Sequence, residues 1–198
     1  MKLPPNIEYI AGKKNGPSVI IMGAVHGNER LGEGVVARLL HEIKPENLHG
    51  ELVLIIGNPD AYANHQRFMQ SDLNRLFGPH IEMLMKKPLH TLNIEEKRAV
   101  EIAPFLREAD YLLDIHSTIK PSVPFVYCEN TKAHFELAYL FETEYIVSPA
   151  SHCLIPDLTS CSDNYVDQHG GIGITYEAGW HRGPTIFPEA LAKTYKFL

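Results

Sequence analysis

At 198 residues, 44% hydrophobic, 21% charged and 9% aromatic, the chain has the size and composition of one soluble globular domain, which argues against disorder for most of it. Its 24 acidic against 18 basic side chains give a formal charge of -6 with no basic stripe, which argues against a nucleic-acid partner. No apolar run approaches the roughly 20 residues that span a bilayer, and the opening MKLPPNIEYI lacks the apolar core of a signal peptide. Cys128, Cys153 and Cys161 match neither a disulfide framework nor a paired metal motif, so the expectation is a cytoplasmic protein with reduced thiols and no membrane partner.

In chain order, residues 7–11 and 18–25 read as strands flanking Lys13-Lys14-Asn15-Gly16, an Asn-Gly signal that predicts strand, turn, strand. Leu31, Val35, Val36, Leu39, Leu40 and Ile43 recur at helical spacing until Pro45, giving an amphipathic helix. Residues 51–57 (ELVLIIG) form a continuous apolar run, as expected of a strand covered on both faces. A polar stretch, 61–78, follows without a period. Residues 95–107 read as a helix and 111–116 as a second buried strand with polar groups at its end. Residues 125–128, 145–147 and 172–177 read as further strands, separated by helical patterns at 133–141 and 163–169. This alternation predicts one α/β domain over residues 1–198, with a mixed, largely parallel sheet between helices. Such sheets bind ligands beyond the carboxyl ends of their strands.

Four polar clusters carry candidate chemistry. In Gly23-Ala24-Val25-His26-Gly27-Asn28-Glu29, a strand runs into a turn; His26 and Glu29 are either a pair of metal ligands or the polar start of a helix. In Asp114-Ile115-His116-Ser117, Asp114 and His116 point to one face of a strand. A His, Glu, His set with an open position is the pattern of catalytic zinc, with Asp114 accepting the other ring N–H of a ligating histidine; a satisfied strand-end histidine is the alternative. Arg67-Phe68-Met69-Gln70-Ser71-Asp72-Leu73-Asn74-Arg75 offers guanidinium forks and an amide to a carboxylate or a polarised carbonyl, or is a solvated loop with Asp72 as a cap. In Thr175-Tyr176-Glu177-Ala178-Gly179, a carboxylate ends an apolar strand, either as a paired charge or as a general base.

Taken together, GAVHGNE from Gly23, GNPDA from Gly57, QRFMQSDLNRLFG from Gln66, DIHS from Asp114 and TYEAG from Thr175 resemble, in order and spacing, the succinylglutamate desuccinylase and aspartoacylase family. That family is a branch of the zinc carboxypeptidase-like hydrolases, and the resemblance spans roughly residues 18–180. It implies the zinc carboxypeptidase-like fold and one Zn2+ per chain held by His26, Glu29 and His116. It also implies that Glu177 is the general base, that Arg67 faces the oxyanion, and that Asn74 and Arg75 bind a substrate carboxylate. The implied activity is hydrolysis of an N-acyl amino acid or a related small amide. A metallocarboxypeptidase or cell-wall-peptide amidase could use the same site. A noncatalytic zinc-binding or ligand-sensing module is the non-enzyme alternative, but a sensor needs ligands and no base, and Glu177 is present.

Two departures from the family pattern stand out. Relatives continue into a second, β-rich domain, which we expect to be absent from residues 1–198. Where aspartoacylase carries an arginine ten residues before the catalytic glutamate, this chain has Asp167, which argues against N-acetylaspartate as substrate. Of the remaining histidines, His41, His49, His65, His80, His90, His134 and His169 are expected at the surface, whereas His152 and His181 stay open between pocket and packed loop.

Overall fold

The computed structural model describes residues 3–149 and 160–198. Its strands are β1 (Ile7–Ala11), β2 (Lys14–Gly23), β3 (His49–Ile56), β4 (Tyr111–Thr118), β5 (Phe125–Cys128), β6 (Tyr145–Val147) and β7 (Ile172–Trp180), joined in one sheet of order β1-β3-β2-β4-β7-β5-β6. The β2/β3, β2/β4, β4/β7 and β5/β6 pairs are parallel and the β1/β3 and β5/β7 pairs antiparallel. The sheet is therefore mixed and largely parallel, as the alternating pattern predicts.

Apolar runs stay continuous in the central strands because both faces are covered. Successive side chains alternate between two cores: Ile20, Met22, Val53 and Ile55 enter one, and Ile21, Leu52 and Leu54 the other. The first core is closed by α3 (Ile81–Leu84), α4 (Ile94–Arg107) and α6 (Ser162–Gln168), through residues such as Leu84, Ile102 and Tyr165. The second is closed by α1 (Leu31–Glu42), α5 (Lys132–Ala138) and α7 (Ile186–Phe197), through Val35, Ala138 and Ala190. The polar stretch after β3 holds α2 (Pro59–Ala63) and a 3-10 turn, Leu73–Arg75. Among the described residues, no helix is long and apolar enough to cross a membrane.

The expected hairpin at the N-terminus does not form. β1 pairs with β3, Ile7 opposite Ile55 and Ala11 opposite Glu51, and Asn15-Gly16 lies within β2. There β2 shifts register against β3, and Gly16 approaches so closely that a Cβ would stand 2.7 Å from Gly50 N, with Gly50 itself at φ 89°. The glycine serves close approach between strands rather than a turn.

A second correction concerns His134, which is buried rather than exposed. Its Nδ1 lies 2.7 Å from Thr131 Oγ1 and its Nε2 2.9 Å from Asp167 Oδ1, so it ties α5 to α6. His41, His49, His65, His90 and His169 are exposed as expected, and His80 is partly so. His152 and Cys153 lie outside the described residues; Cys128 and Cys161 are both buried.

Gly23 ends β2 where α1 begins to press on the sheet. A Cβ there would meet the Gly32 backbone carbon at 2.4 Å, so two glycines set how close the strand end and the helix start can come. The next residue, Ala24, takes a left-handed conformation (φ 54°) that turns the chain out of the sheet toward His26. Gly23→Ala should therefore cost about 1–3 kcal/mol through overpacking. Thermal unfolding should show a Tm lower by roughly 5 °C for a chain of this size, and an unchanged Tm would contradict the close packing.

Candidate metal centre

Two parts of the chain bring the metal candidates together. The turn after β2 supplies His26 and Glu29, β4 supplies His116, and their ligand atoms all lie within 4.8 Å of one another. Glu29 Oε1 is 2.9 Å from His26 Nδ1, and Oε2 is 3.1 Å from His116 Nδ1 while accepting the Ser117 N–H at 3.0 Å. Both imidazoles turn Nδ1 inward. Behind them, Asp72 Oδ1 stands 3.1 Å from His26 Nε2, and Asp114 Oδ2 3.2 Å from His116 Nε2. Carboxylates at the outer nitrogens of two histidines are the usual support for metal-ligating imidazoles. This buried group of two imidazoles and one carboxylate could hold a metal ion, and its donor chemistry suits zinc with a position left open.

The charges settle each other. Burial opposes the ionised form of Glu29, but His116 and His26 outweigh it and hold the carboxyl well below the usual range. Burial likewise opposes a charged His116, yet Asp114 and Glu29 on either side push the imidazole well above its ordinary value. Asp72 is also held low, with His26, Arg67 and Arg75 overcoming its burial. An ion entering this set takes over the compensation that protons otherwise supply.

Glu177 lies opposite His116 in the β4/β7 register. Its Oε2 is buried without a hydrogen-bond partner among the described residues, and burial raises its carboxyl above the ordinary range. Together His26, Arg67, Asn74, Arg75, His116 and Glu177 line one cavity of about 190 Å³. Arg67 donates to Glu29 at 3.4 Å and Asp72 at 3.2 Å. Arg75 donates to Asn74 O at 2.7 Å and reaches Cys161 Sγ at 3.5 Å, with no carboxylate partner among the described residues. Asn74 Oδ1 accepts the Ser162 N–H at 3.1 Å.

The expected residues thus converge, Asp114 behind His116 rather than on the cavity wall. Asp72 exceeds its sequence reading as a cap, since it caps the Leu73–Arg75 turn through Asn74 N–H and also supports His26. Phe125, Tyr127, Cys161, Asp163 and Thr175 complete the lining. Asp163 carries no motif; its place inside the pocket follows from how α6 packs on β7, where burial pushes its carboxyl up to about 6. His181 faces a separate cavity with Asn28 and Arg30.

The chain is similar to known proteins in sequence and in fold. A family model for the succinylglutamate desuccinylase/aspartoacylase catalytic domain matches residues 15–196. Succinylglutamate desuccinylase of Ectopseudomonas mendocina is 28% identical over 115 residues, covering 57% of this chain and 34% of that protein. A probable aspartoacylase of Acaryochloris marina is 32% identical over 115 residues, covering 50% and 34%. Among solved structures, a succinylglutamate desuccinylase/aspartoacylase from Rhodobacter sphaeroides superposes with TM-score 0.79 at 20% identity, covering 97% of this chain and 57% of that one. The product-bound ectoine utilization protein EutE (DoeB) from Ruegeria pomeroyi gives TM-score 0.79 at 22% identity, covering 97% and 59%. The matched region spans about a third of these curated relatives. Every residue of the cavity's candidate centre falls inside the family match, and the chain belongs to the succinylglutamate desuccinylase/aspartoacylase family.

Proposed function

We propose that residues 1–198 form a single catalytic unit of a zinc-dependent amide hydrolase, acting on an N-acyl amino acid or a related small amide that bears a carboxylate. One observation carries the reading: Glu177 Oε2 is buried, without a hydrogen-bond partner among the described residues, in the cavity wall where His26, Glu29 and His116 converge. The names of the relatives, desuccinylase and aspartoacylase, support acyl amino acids as the substrate class. Asp167, held by His134, occupies the position where an arginine would read an acidic side chain, which argues against N-acetylaspartate.

His26, Glu29 and His116 would hold a zinc ion, which when bound would supply Lewis-acid chemistry toward the scissile carbonyl and toward water. Glu177 Oε2 takes the proton of the attacking water, and its raised pKa suits a group that must then hand that proton to the leaving amine nitrogen. Arg67 directs its guanidinium toward the charge that develops on the carbonyl oxygen. With Asn74 Oδ1 engaged by Ser162, the amide NH2 is the end that meets substrate, and Arg75 offers a guanidinium to its carboxylate. Asp72 and Asp114 fix the two imidazoles.

Elemental analysis of the purified protein should find one zinc per chain, with strong loss in His116→Ala; full occupancy in that variant and in His26→Ala would overturn the ligand set. Glu177→Gln keeps shape but removes the base, so kcat should fall roughly 100- to 10,000-fold with zinc retained. An unchanged kcat would make Glu177 structural. Arg75→Ala should raise KM for carboxylate substrates about tenfold or more, the value of a lost charge-assisted hydrogen bond, with little change for amidated ones. Equal turnover of acid and amide forms by the unaltered protein would move the reading to a peptide amidase, and absence of any turnover by zinc-loaded protein to a binding module.

A further inference from the structure

Arg67, Asp72, Asn74 and Arg75 all sit on the polar stretch between α2 and α4, where residues 66–72 have no regular hydrogen-bonded structure of their own. A side chain from outside holds them. Glu95, in the first turn of α4, is fully buried (0% exposed). Its Oε1 accepts the Met69 N–H at 2.6 Å and Asn58 Nδ2 at 3.1 Å, and its Oε2 accepts the Gln70 N–H at 3.1 Å and the Ser71 N–H at 3.2 Å. Three successive backbone N–H groups thus curl around one carboxylate. Such nests bind anions, and this one is filled by the protein itself.

The helix does not need Glu95 as its cap. Asn93 accepts the Glu96 N–H at 2.8 Å and Glu96 returns a bond from the Asn93 N–H at 2.8 Å, a complete capping box. No cation among the described residues pairs with Glu95, so its charge is met by the four donors and by the N-terminal end of α4. The nest, residues 69–71, lies between the two loop residues that touch the candidate centre: Arg67 on Glu29, and Asp72 on His26. The loop is anchored to the metal-site turn as well, through the Gly27 N–H donating to Arg67 O at 3.1 Å.

We infer that Glu95 is a positioning residue for the reaction: by gathering the Met69, Gln70 and Ser71 N–H groups it fixes the loop so that Arg67 and Asp72 meet the candidate centre. Its kinetic consequence rests on the proposed function, whereas its hold on the loop does not. Glu95→Gln tests both, because the amide keeps the shape but turns an NH2 toward two groups that are themselves donors.

Amide exchange at Met69, Gln70 and Ser71 should speed up about tenfold or more in Glu95→Gln, with zinc content unchanged. For zinc-loaded protein, kcat should fall on the order of 10- to 100-fold, the usual cost of a small misplacement, while KM stays within about threefold. A double-mutant cycle separates positioning from general stability. Adding Glu95→Gln to Arg67→Ala should cost a smaller fraction of kcat than it costs the unaltered protein, since one of the two groups it positions is already gone. Equal fractional losses in both backgrounds, or unchanged exchange at residues 69–71, would overturn the inference. Should Glu95→Gln fail to fold, Glu95→Asp keeps the charge but falls short of the nest, and full protection with full kcat in that variant would overturn it equally. If the unaltered protein hydrolyses no amide, the proposed function falls, and the exchange measurement still decides whether Glu95 holds the loop.

Discussion

Glu29 ties together three parts of the chain that are distant in sequence. Its carboxylate takes bonds from His26 on its own turn, from His116 and the Ser117 N–H at the end of β4, and from Arg67 on the long loop. A carboxylate with 4% exposure is costly to bury unless each oxygen is satisfied, so these contacts stand or fall together. The sheet makes the arrangement reachable. Parallel pairing of β2 with β4 aligns Gly23 with Ile115, which puts the chain leaving β2 directly above the end of β4. Parallel pairing of β4 with β7 then brings Glu177 alongside His116.

The same region concentrates charge that a core selected for stability alone would replace with apolar groups. Asp114 is fully buried, with Oδ2 accepting from Ser162 Oγ at 2.6 Å while Oδ1 has no hydrogen-bond partner among the described residues. Glu177 Oε2 is likewise buried without one among the described residues. These two atoms stand beside the candidate centre, although such atoms also occur elsewhere, Tyr176 OH in the second core among them. Each calls for a reason, such as a catalytic role, strain or a bound water or ion.

Much of this was legible in the order of residues. The continuous apolar runs announced β3 and β4 because burial on both faces removes the alternation of a half-exposed strand. His26, Glu29, His116 and Glu177 stood out as polar groups at the ends of such runs, each with a structural alternative, and the order and spacing of the motifs around them implied their roles. What escaped was information carried by partners distant in sequence. Asn15-Gly16 has the local signature of a hairpin, yet β3 outcompetes β2 for β1, and no pattern within residues 7–25 encodes that. His134 is hidden by a bond to Asp167, 33 residues away. Glu95 looks like an ordinary acidic residue in a helix's first turn, since its purpose lies in three backbone N–H groups that have no sequence signature at all.

The strand order also has a consequence for how the molecule assembles. β7, which follows the other described strands in the sequence, is inserted between β4 and β5, so before it arrives the described strands fall into two separate sheets: β1-β3-β2-β4, and the parallel pair β5-β6. Joining them requires contacts of long sequence separation, the kind that slow folding and leave strand edges open in the interval. β7 is also the strand that bears Glu177. A nascent or partly folded chain can therefore bring His26, Glu29 and His116 together on the first half-sheet while still lacking its candidate base, so the capacity to bind an ion can precede the capacity to use it.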